Sequence, residues 1–322
     1  MVALPYSPYL YGRGSELLAL RELATSCTNA ELFIPIIEPV LTKTDKLIRC
    51  LEILSEKNKR VMLVINPKQH EFSKDIEARR KFVATIKNNL DKCKTLIPTL
   101  IVDSSVAIET VNGFLKAFEG SNVALIYNKP SISDVEFSKL TKLKVIEFHI
   151  TIDGNVTDFQ FNEIPKNKLI EVKDNFVKLD KNADYFGQEV FTDKHKKIGK
   201  TVLGIGDFTI VGKKLEIGGG KAGAVASHLI YKHPASGDIW IEHFVSNDTD
   251  RDIGDVASKF LQMTDKIEKE VRTRATEYGS NKALEKYNEH YKSRTFPGLG
   301  KNKEYQIRHH IQHIIDVISG KI

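Results

Sequence analysis

The sequence predicts an irregular (β/α)8 barrel of the TIM type followed by a C-terminal helical extension, and three observations predict it. Short, continuously apolar runs alternate with segments of helical period. The runs begin near residues 33, 61, 96, 123, 145, 169 and 202, a mean spacing of about 28 residues against the roughly 30 of one βα unit. Two amphipathic stretches then close the chain. A doubly wound open sheet gives the same alternation with fewer strands, but no GxGxxG follows the first run to favour its dinucleotide-binding version. The expected division is a barrel over residues 1–250, N-terminal helix included, with a basic helical extension over residues 251–322 packed on it.

Taken in order, Gly12-Arg13-Gly14 lets the chain turn into a first helix that Ser15 can cap, with Leu17, Leu18, Leu20 and Ala24 on one side. Residues 32–40 (LFIPIIEPV), 61–66 (VMLVIN), 96–103 (LIPTLIVD) and 123–128 (VALIYN) read as strands buried on both faces, because a half-exposed strand would alternate. Between them Leu47, Cys50, Leu51 and Leu54 form one helical face, Phe82, Val83, Ile86 and Leu90 a second, and Val111, Phe114, Leu115 and Phe118 a third. Further strands are expected at 145–150, 169–172 and 202–211, then a pair at 224–231 and 239–245. Residues 150–200 show little helical period, which predicts an irregular second half with a long loop. Val256, Phe260, Met263, Ile267 and Val271 mark the first closing helix; Ile307, Ile311, Ile314 and Ile318 mark the second, after the turn Phe296-Pro297-Gly298-Leu299-Gly300.

Composition narrows the class. Of the 322 residues 41% are hydrophobic and 28% charged, which excludes disordered, collagenous and disulfide-scaffold chains. Cys27, Cys50 and Cys93 form no CxxC or Cys/His pattern, so a reducing, cytoplasmic setting is expected. No secretory leader and no run of 18 uncharged apolar residues is visible, so no membrane attachment is expected. The net charge of +6 is uneven: residues 259–322 hold 13 Lys and Arg against 8 Asp and Glu, while the first 258 are nearly neutral. Such a tail is either an electrostatic footprint for nucleic acid or a solvated helix face, as the alternation of Lys266, Glu268, Lys269, Glu270 and Arg272 suggests.

In a parallel barrel, polar groups at the C-terminal ends of strands face the mouth where active sites form. Glu38, Asn66, Asp103, Asn128, His149, Asp174 and Asp207 stand at or near such ends. Burying Glu38 among Pro35, Ile36, Ile37 and Pro39 costs several kcal/mol unless it is paired, with Arg13 for example, so it reads equally as a fold-stabilising pair or a catalytic group. Asn66 and Asn128, each close to a proline, read as turn residues. If residues 224–231 and 239–245 form a hairpin, one register sets His228 opposite His243, and Asp207 can join them. Two imidazoles and a carboxylate suit a transition metal or acid–base work on a phosphoester, although lone histidines among strands are commonly core groups. Gly218-Gly219-Gly220 lacks the ending of a P-loop and reads as a turn. His309 and His313 have zinc-ligand spacing without the Glu of HExxH, so with His310 they read as packing or a partner surface. No Gly-x-Ser-x-Gly elbow or kinase motif set is present.

Several short motifs, in their order along nearly the whole chain, resemble the Beta protein family. They are Tyr9-Leu10-Tyr11-Gly12-Arg13-Gly14-Ser15-Glu16-Leu17-Leu18-Ala19-Leu20, Pro35-Ile36-Ile37-Glu38-Pro39-Val40, Gly206-Asp207-Phe208, Ala224-Val225-Ala226-Ser227-His228-Leu229, His243-Phe244-Val245-Ser246, and Phe296-Pro297-Gly298-Leu299-Gly300 with His309-His310. The closer resemblance is to a bacterial branch encoded beside a putative restriction-type nuclease. The family occurs in phage satellites and defence islands, where it is linked with a toxic neighbour and with phage resistance; it has no agreed catalytic activity. Where the family often shows Ser or Tyr, this chain has Gly206-Asp207-Phe208 and no hydroxyl. The positions that carry over as candidates are Glu38, Asp207, His228 and His243, with Arg13 and Glu16 in support.

Two functions follow. One is a barrel protein of a phage-defence or toxin–antitoxin-like locus that acts with, or regulates, a neighbouring nuclease or toxin, with nucleic acid as a further partner through the basic C-terminal region. The other is a metal-assisted phosphodiesterase or related hydrolase acting on nucleic acid or nucleotides, with Glu38, Asp207, His228 and His243 holding the metal or moving protons. Whether the chain is an enzyme stays open, and the sequence names neither cofactor nor metal. A sequence-specific DNA reader is a weaker third option, since no helix-turn-helix, finger or RNA-binding signature appears.

Overall fold

The apolar runs pair into one parallel sheet. In the computed structural model, which describes residues 5–27, 29–218, 220 and 222–322, its strands are β1 (Tyr9–Leu10), β2 (Ile36–Ile37), β3 (Val61–Val64), β4 (Leu96–Asp103), β5 (Val123–Asn128), β6 (Ile146–Ile152) and β7 (Leu169–Lys173). The next strand, β8 (Gln188–Thr192), lies outside this sheet, and β9 (Gly204–Asp207) is its eighth member. Each strand pairs in parallel with the next in the order β1 to β7 and then β9.

Closure occurs at the N-terminal segment. Tyr6 bridges both Phe33 and Ile205, the Ser7 N–H donates to the Ile205 carbonyl at 2.8 Å, and the Ile205 N–H donates to that of Pro5 at 3.2 Å. Two glycines permit the approach. A Cβ on Gly204 would lie 2.2 Å from the Pro5 carbonyl oxygen, and one on Gly206 2.1 Å from that of Ser7. Residues at both positions must therefore lack a side chain, which explains physically why no hydroxyl precedes Asp207.

The helical faces read from the sequence form α2 (Asp45–Glu56), α3 (Ile76–Lys87) and α4 (Ile108–Ala117), preceded by α1 (Gly14–Ser26). Two more, α5 (Asp134–Thr141) and α6 (Asp158–Glu163), are too short to display a period; their signal is a capping box, Ser133 with Glu136 and Thr157 with Gln160. Ser15 does not cap α1: its hydroxyl donates to the Gly300 carbonyl at 2.9 Å.

The expected boundary at residue 250 is replaced by an interleaved division. One unit, the barrel, comprises Met1–Arg13, Ala30–Asp174 and Lys196–Phe208; the other comprises Gly14–Asn29, Asn175–His195 and Thr209–Ile322. The pair β10 (Ala226–Lys232) and β11 (Ile239–Val245) is no part of the barrel, but builds a separate antiparallel sheet in the order β10, β11, β8. The helices of this second unit are α1, α7 (Val256–Thr273), α8 (Ala275–Tyr278), α9 (Lys282–Ser293) and α10 (Leu299–Ile318). Its core gathers Leu229, Tyr231, Phe244, Phe260, Met263 and Tyr287.

Helix α10 covers the free edge of β10 with polar side chains, an arrangement that stops an edge strand from pairing elsewhere. Asn302 donates to the Ala226 carbonyl (3.1 Å), Gln306 accepts from the His228 N–H (2.9 Å), and His309 Nε2 bonds the Ile230 carbonyl (2.8 Å). No helix among the described residues is long and apolar enough to cross a membrane.

Candidate functional site

The loops that leave the C-terminal ends of the barrel strands are laced to one another in sequence. From β1, the Tyr9 hydroxyl donates at 2.7 Å to Glu38 Oε2, just after β2. Two groups beyond β3 complete that carboxylate: Gln69 Nε2 donates at 2.9 Å and the Lys68 N–H at 3.1 Å. The Lys68 ammonium reaches across to Asp103, at the end of β4, and to Ser105 Oγ at 2.8 Å. Ser131, beyond β5, donates to the Ser104 carbonyl; Asn155, beyond β6, donates to Asn128 at 2.9 Å; the Asp174 N–H, beyond β7, donates to Asp153 at 2.7 Å. At the closing seam Tyr6 donates to Asp207 at 2.8 Å.

These contacts set the electrostatics of the rim. Burial pushes the Asp103 carboxyl upward, but hydrogen bonds from Lys68 and Ser105 outweigh it and hold the group below its usual range. Glu71 is likewise held low by the N–H and hydroxyl of Thr42, which tie the β2 and β3 loops together. Burial, reinforced by the carboxylates they serve, pushes the hydroxyls of Tyr6 and Tyr9 well up, so both remain donors. Above this network Tyr9 and Phe208 pack with ring centroids 4.8 Å apart.

Of the strand-end residues read from the sequence, Glu38 and Asp103 join this network, while Arg13 is not among the partners of Glu38. Asn66 makes a two-point bond to the backbone of Ile101, as a structural turn residue does. His149 sits within β6, not at its end. Its Nδ1 bonds the Tyr127 hydroxyl at 2.9 Å, and Tyr127 in turn packs on Phe137 of α5, so the imidazole belongs to the layer between sheet and helices. Sequence reasoning missed Tyr9, Lys68 and Gln69. The signal for the last two is their position just past β3, in Asn66-Pro67-Lys68-Gln69. Gly219, within the glycine run, lies outside the described residues.

His228 and His243 meet in the second unit. The register pairs them directly, with Nδ1 to Nδ1 at 2.8 Å, and His243 Nε2 lies 3.4 Å from Glu189 on β8. Tyr185 packs against both rings, at 4.4 and 5.0 Å between centroids, and Phe176 against His228 at 5.0 Å. Burial, and then the neighbouring His243, hold His228 well below the usual imidazole range. Burial also lowers His243, against the opposing pull of Glu189 and Glu242.

Both rings are therefore neutral near pH 7, so one Nδ1 donates to the other; a proton on His243 Nε2, the nitrogen nearest the Glu189 carboxylate, would make His228 the donor and leave its Nε2 as an acceptor. The two imidazoles are thus bonded to each other with the Glu189 carboxylate 3.4 Å from the outer nitrogen of His243.

The six candidates are divided between the units: Arg13, Glu38 and Asp207 belong to the barrel, Glu16, His228 and His243 to the second unit. Among the described residues no three His, Cys, Asp or Glu side chains are grouped as a metal ion requires. The α10 histidines are packing groups. His309 bridges Ile230 and Asn281, burial lowers its pKa to about 4, and His313 Nδ1 bonds the Tyr278 carbonyl. No protein-family model matches the chain, and no curated protein matches it.

Proposed function

We propose that this chain is the barrel component of a bacterial phage-defence or toxin–antitoxin-like locus, and that it binds and restrains a nuclease or toxin encoded beside it. The setting rests on the resemblance to the Beta protein family. The mode of action rests on one observation: the polar strand-end groups Glu38, Asp103, Asn128 and Asp207 are engaged by side chains of neighbouring segments. Each such bond contributes roughly 0.5–1.5 kcal/mol, more where a charge takes part. Together they hold a rim whose shape changes little, which suits a surface that recognises a protein without paying for loop ordering. Co-expression with the neighbouring gene and purification through a tag on either protein tests the reading. The two are expected to elute together, and a well-folded barrel that never retains its neighbour contradicts it.

The hydrolase reading is favoured by one observation, the bonding of His228 to His243 beside Glu189, which sets two imidazoles and a carboxylate together as acid–base chemistry requires. Its test is hydrolysis of nucleotide and oligonucleotide substrates by the wild type and by His228→Gln. Turnover lost in the variant supports this reading, and absence of turnover in both leaves binding as the function.

A further inference from the structure

The basic C-terminal region holds a second, smaller site. Arg308, on α10, has a side chain only 7% exposed, and its one close partner is Glu304 at 3.5 Å, which is itself held nearer, at 2.6 Å, by Lys301. No hydrogen bond from the guanidinium is made among the described residues, and none of its nitrogens is among the fully buried unpaired atoms, so the fork keeps access to the cavity beside it. An arginine has five donors in a rigid fork, and those that Glu304 does not engage stay open to a ligand in the cavity.

The same guanidinium lines a cavity of about 140 Å³, together with Lys282, Lys321 and Ser280. The N-terminus of α9 opens on this cavity. Asn281 caps the helix by accepting from the N–H groups of Ala283 and Leu284, and the positive end of the helix dipole adds to the cations. Lys282 pairs with Glu285 at 2.7 Å, but both side chains are at least half exposed, and such pairs exchange at little cost. Lys321 is held 3.0 Å from the buried Asp316.

We propose that this cavity binds a phosphoryl group, with the Arg308 fork taking two of its oxygens and Lys282 and Lys321 balancing its charge. Size selects the chemistry: about 140 Å³ is well below the roughly 300–1,000 Å³ that enclose a drug-sized ligand, so the site takes the anionic head and leaves the rest outside. A planar fork takes a carboxylate or a phosphoryl group at two points, and the two ammonium groups beside it favour the more highly charged phosphoryl dianion. The phosphoryl group has two possible sources, free phosphate or a mononucleotide on one side and the 5′ end of a nucleic acid strand on the other.

Calorimetric titration of the full chain with inorganic phosphate, AMP, and single-stranded oligonucleotides bearing a 5′-phosphate or a 5′-hydroxyl tests the proposal. Saturable phosphate binding is expected, weakened at least tenfold in Arg308→Gln. Glu304→Gln is expected to tighten binding, because it removes the acid that competes for the guanidinium; this variant keeps the test valid if Arg308→Gln does not fold. Equal affinity for phosphate and AMP assigns the free anion, whereas tighter binding of the 5′-phosphorylated strand alone assigns a nucleic acid end. Absence of phosphate binding, or unchanged phosphate binding in Arg308→Gln and Glu304→Gln, overturns the proposal; equal binding of the two oligonucleotides excludes the nucleic acid end as the source.

Discussion

Acidification should unfold the barrel through His149, and by an amount that the structure fixes. Burial, helped by the charge of Lys168, lowers this imidazole from 6.5 to about 3. Nδ1 is engaged by Tyr127, so an added proton must sit on Nε2, which is buried with no hydrogen-bond partner among the described residues. Between pH 6.5 and 3 the unfolded chain binds a proton that the native barrel refuses, so stability falls as pH falls through this window. At about 1.4 kcal/mol per pH unit, His149 alone removes roughly 2 kcal/mol by pH 5 and approaches 5 kcal/mol near pH 3. Against a domain stability of roughly 5–15 kcal/mol that is a large share. Urea unfolding at pH 7.5, 6 and 5, followed by circular dichroism, measures it in the wild type and in His149→Gln, which retains a hydrogen-bonding group for Tyr127 but cannot titrate. The wild type should lose about 2 kcal/mol more than the variant between pH 7.5 and 5. Parallel losses in the two proteins would refute the assignment of His149 as a neutral core group.

Two further perturbations probe the barrel seam and the histidine pair. Gly206→Ala sets a methyl group against the Ser7 carbonyl, whose backbone cannot yield without breaking the closing bonds; a loss of about 3 kcal/mol or more is expected on denaturant unfolding, and a loss under 1 kcal/mol would mean that the seam is open. In the second unit, imidazole nitrogen spectra at pH 7.5 should report His243 protonated on Nε2 and His228 on Nδ1, and Glu189→Gln should lower the titration midpoint of His243 further. The opposite tautomer at His228 would reverse the direction of the bond between the two rings.

Much of the fold was legible because burial on both faces leaves an apolar run, and β3, β4 and β5 announce themselves in that way. The hairpin register that joins His228 to His243 was legible for a related reason: strand alternation admits few pairings. Three things were not. Helices α5 and α6 are too short to show a period and are set by caps. The split at residue 250 failed because membership in the barrel sheet depends on which strands meet through space, and β10 and β11 pair with β8 instead. Within the site, Glu38 stood out as a carboxylate among apolar neighbours, but Tyr9 and Lys68 are ordinary residues until the sheet closes and sets one strand end beside the next. The basic tail proved largely self-neutralising, as Lys286 with Glu289 and Arg294 with Asp265 illustrate; Arg308, which shares Glu304 with Lys301, is singled out by burial rather than by sequence pattern.

Hydrogen exchange on the barrel, alone and with the purified neighbouring nuclease or toxin, tests the binding reading most directly. The laced rim should become protected in the complex, at residues 38–42, 66–72 and 103–107, and Lys68→Ala should reduce that protection along with the affinity. Protection confined to other segments, or none at saturating partner, would contradict a rim that recognises the neighbour.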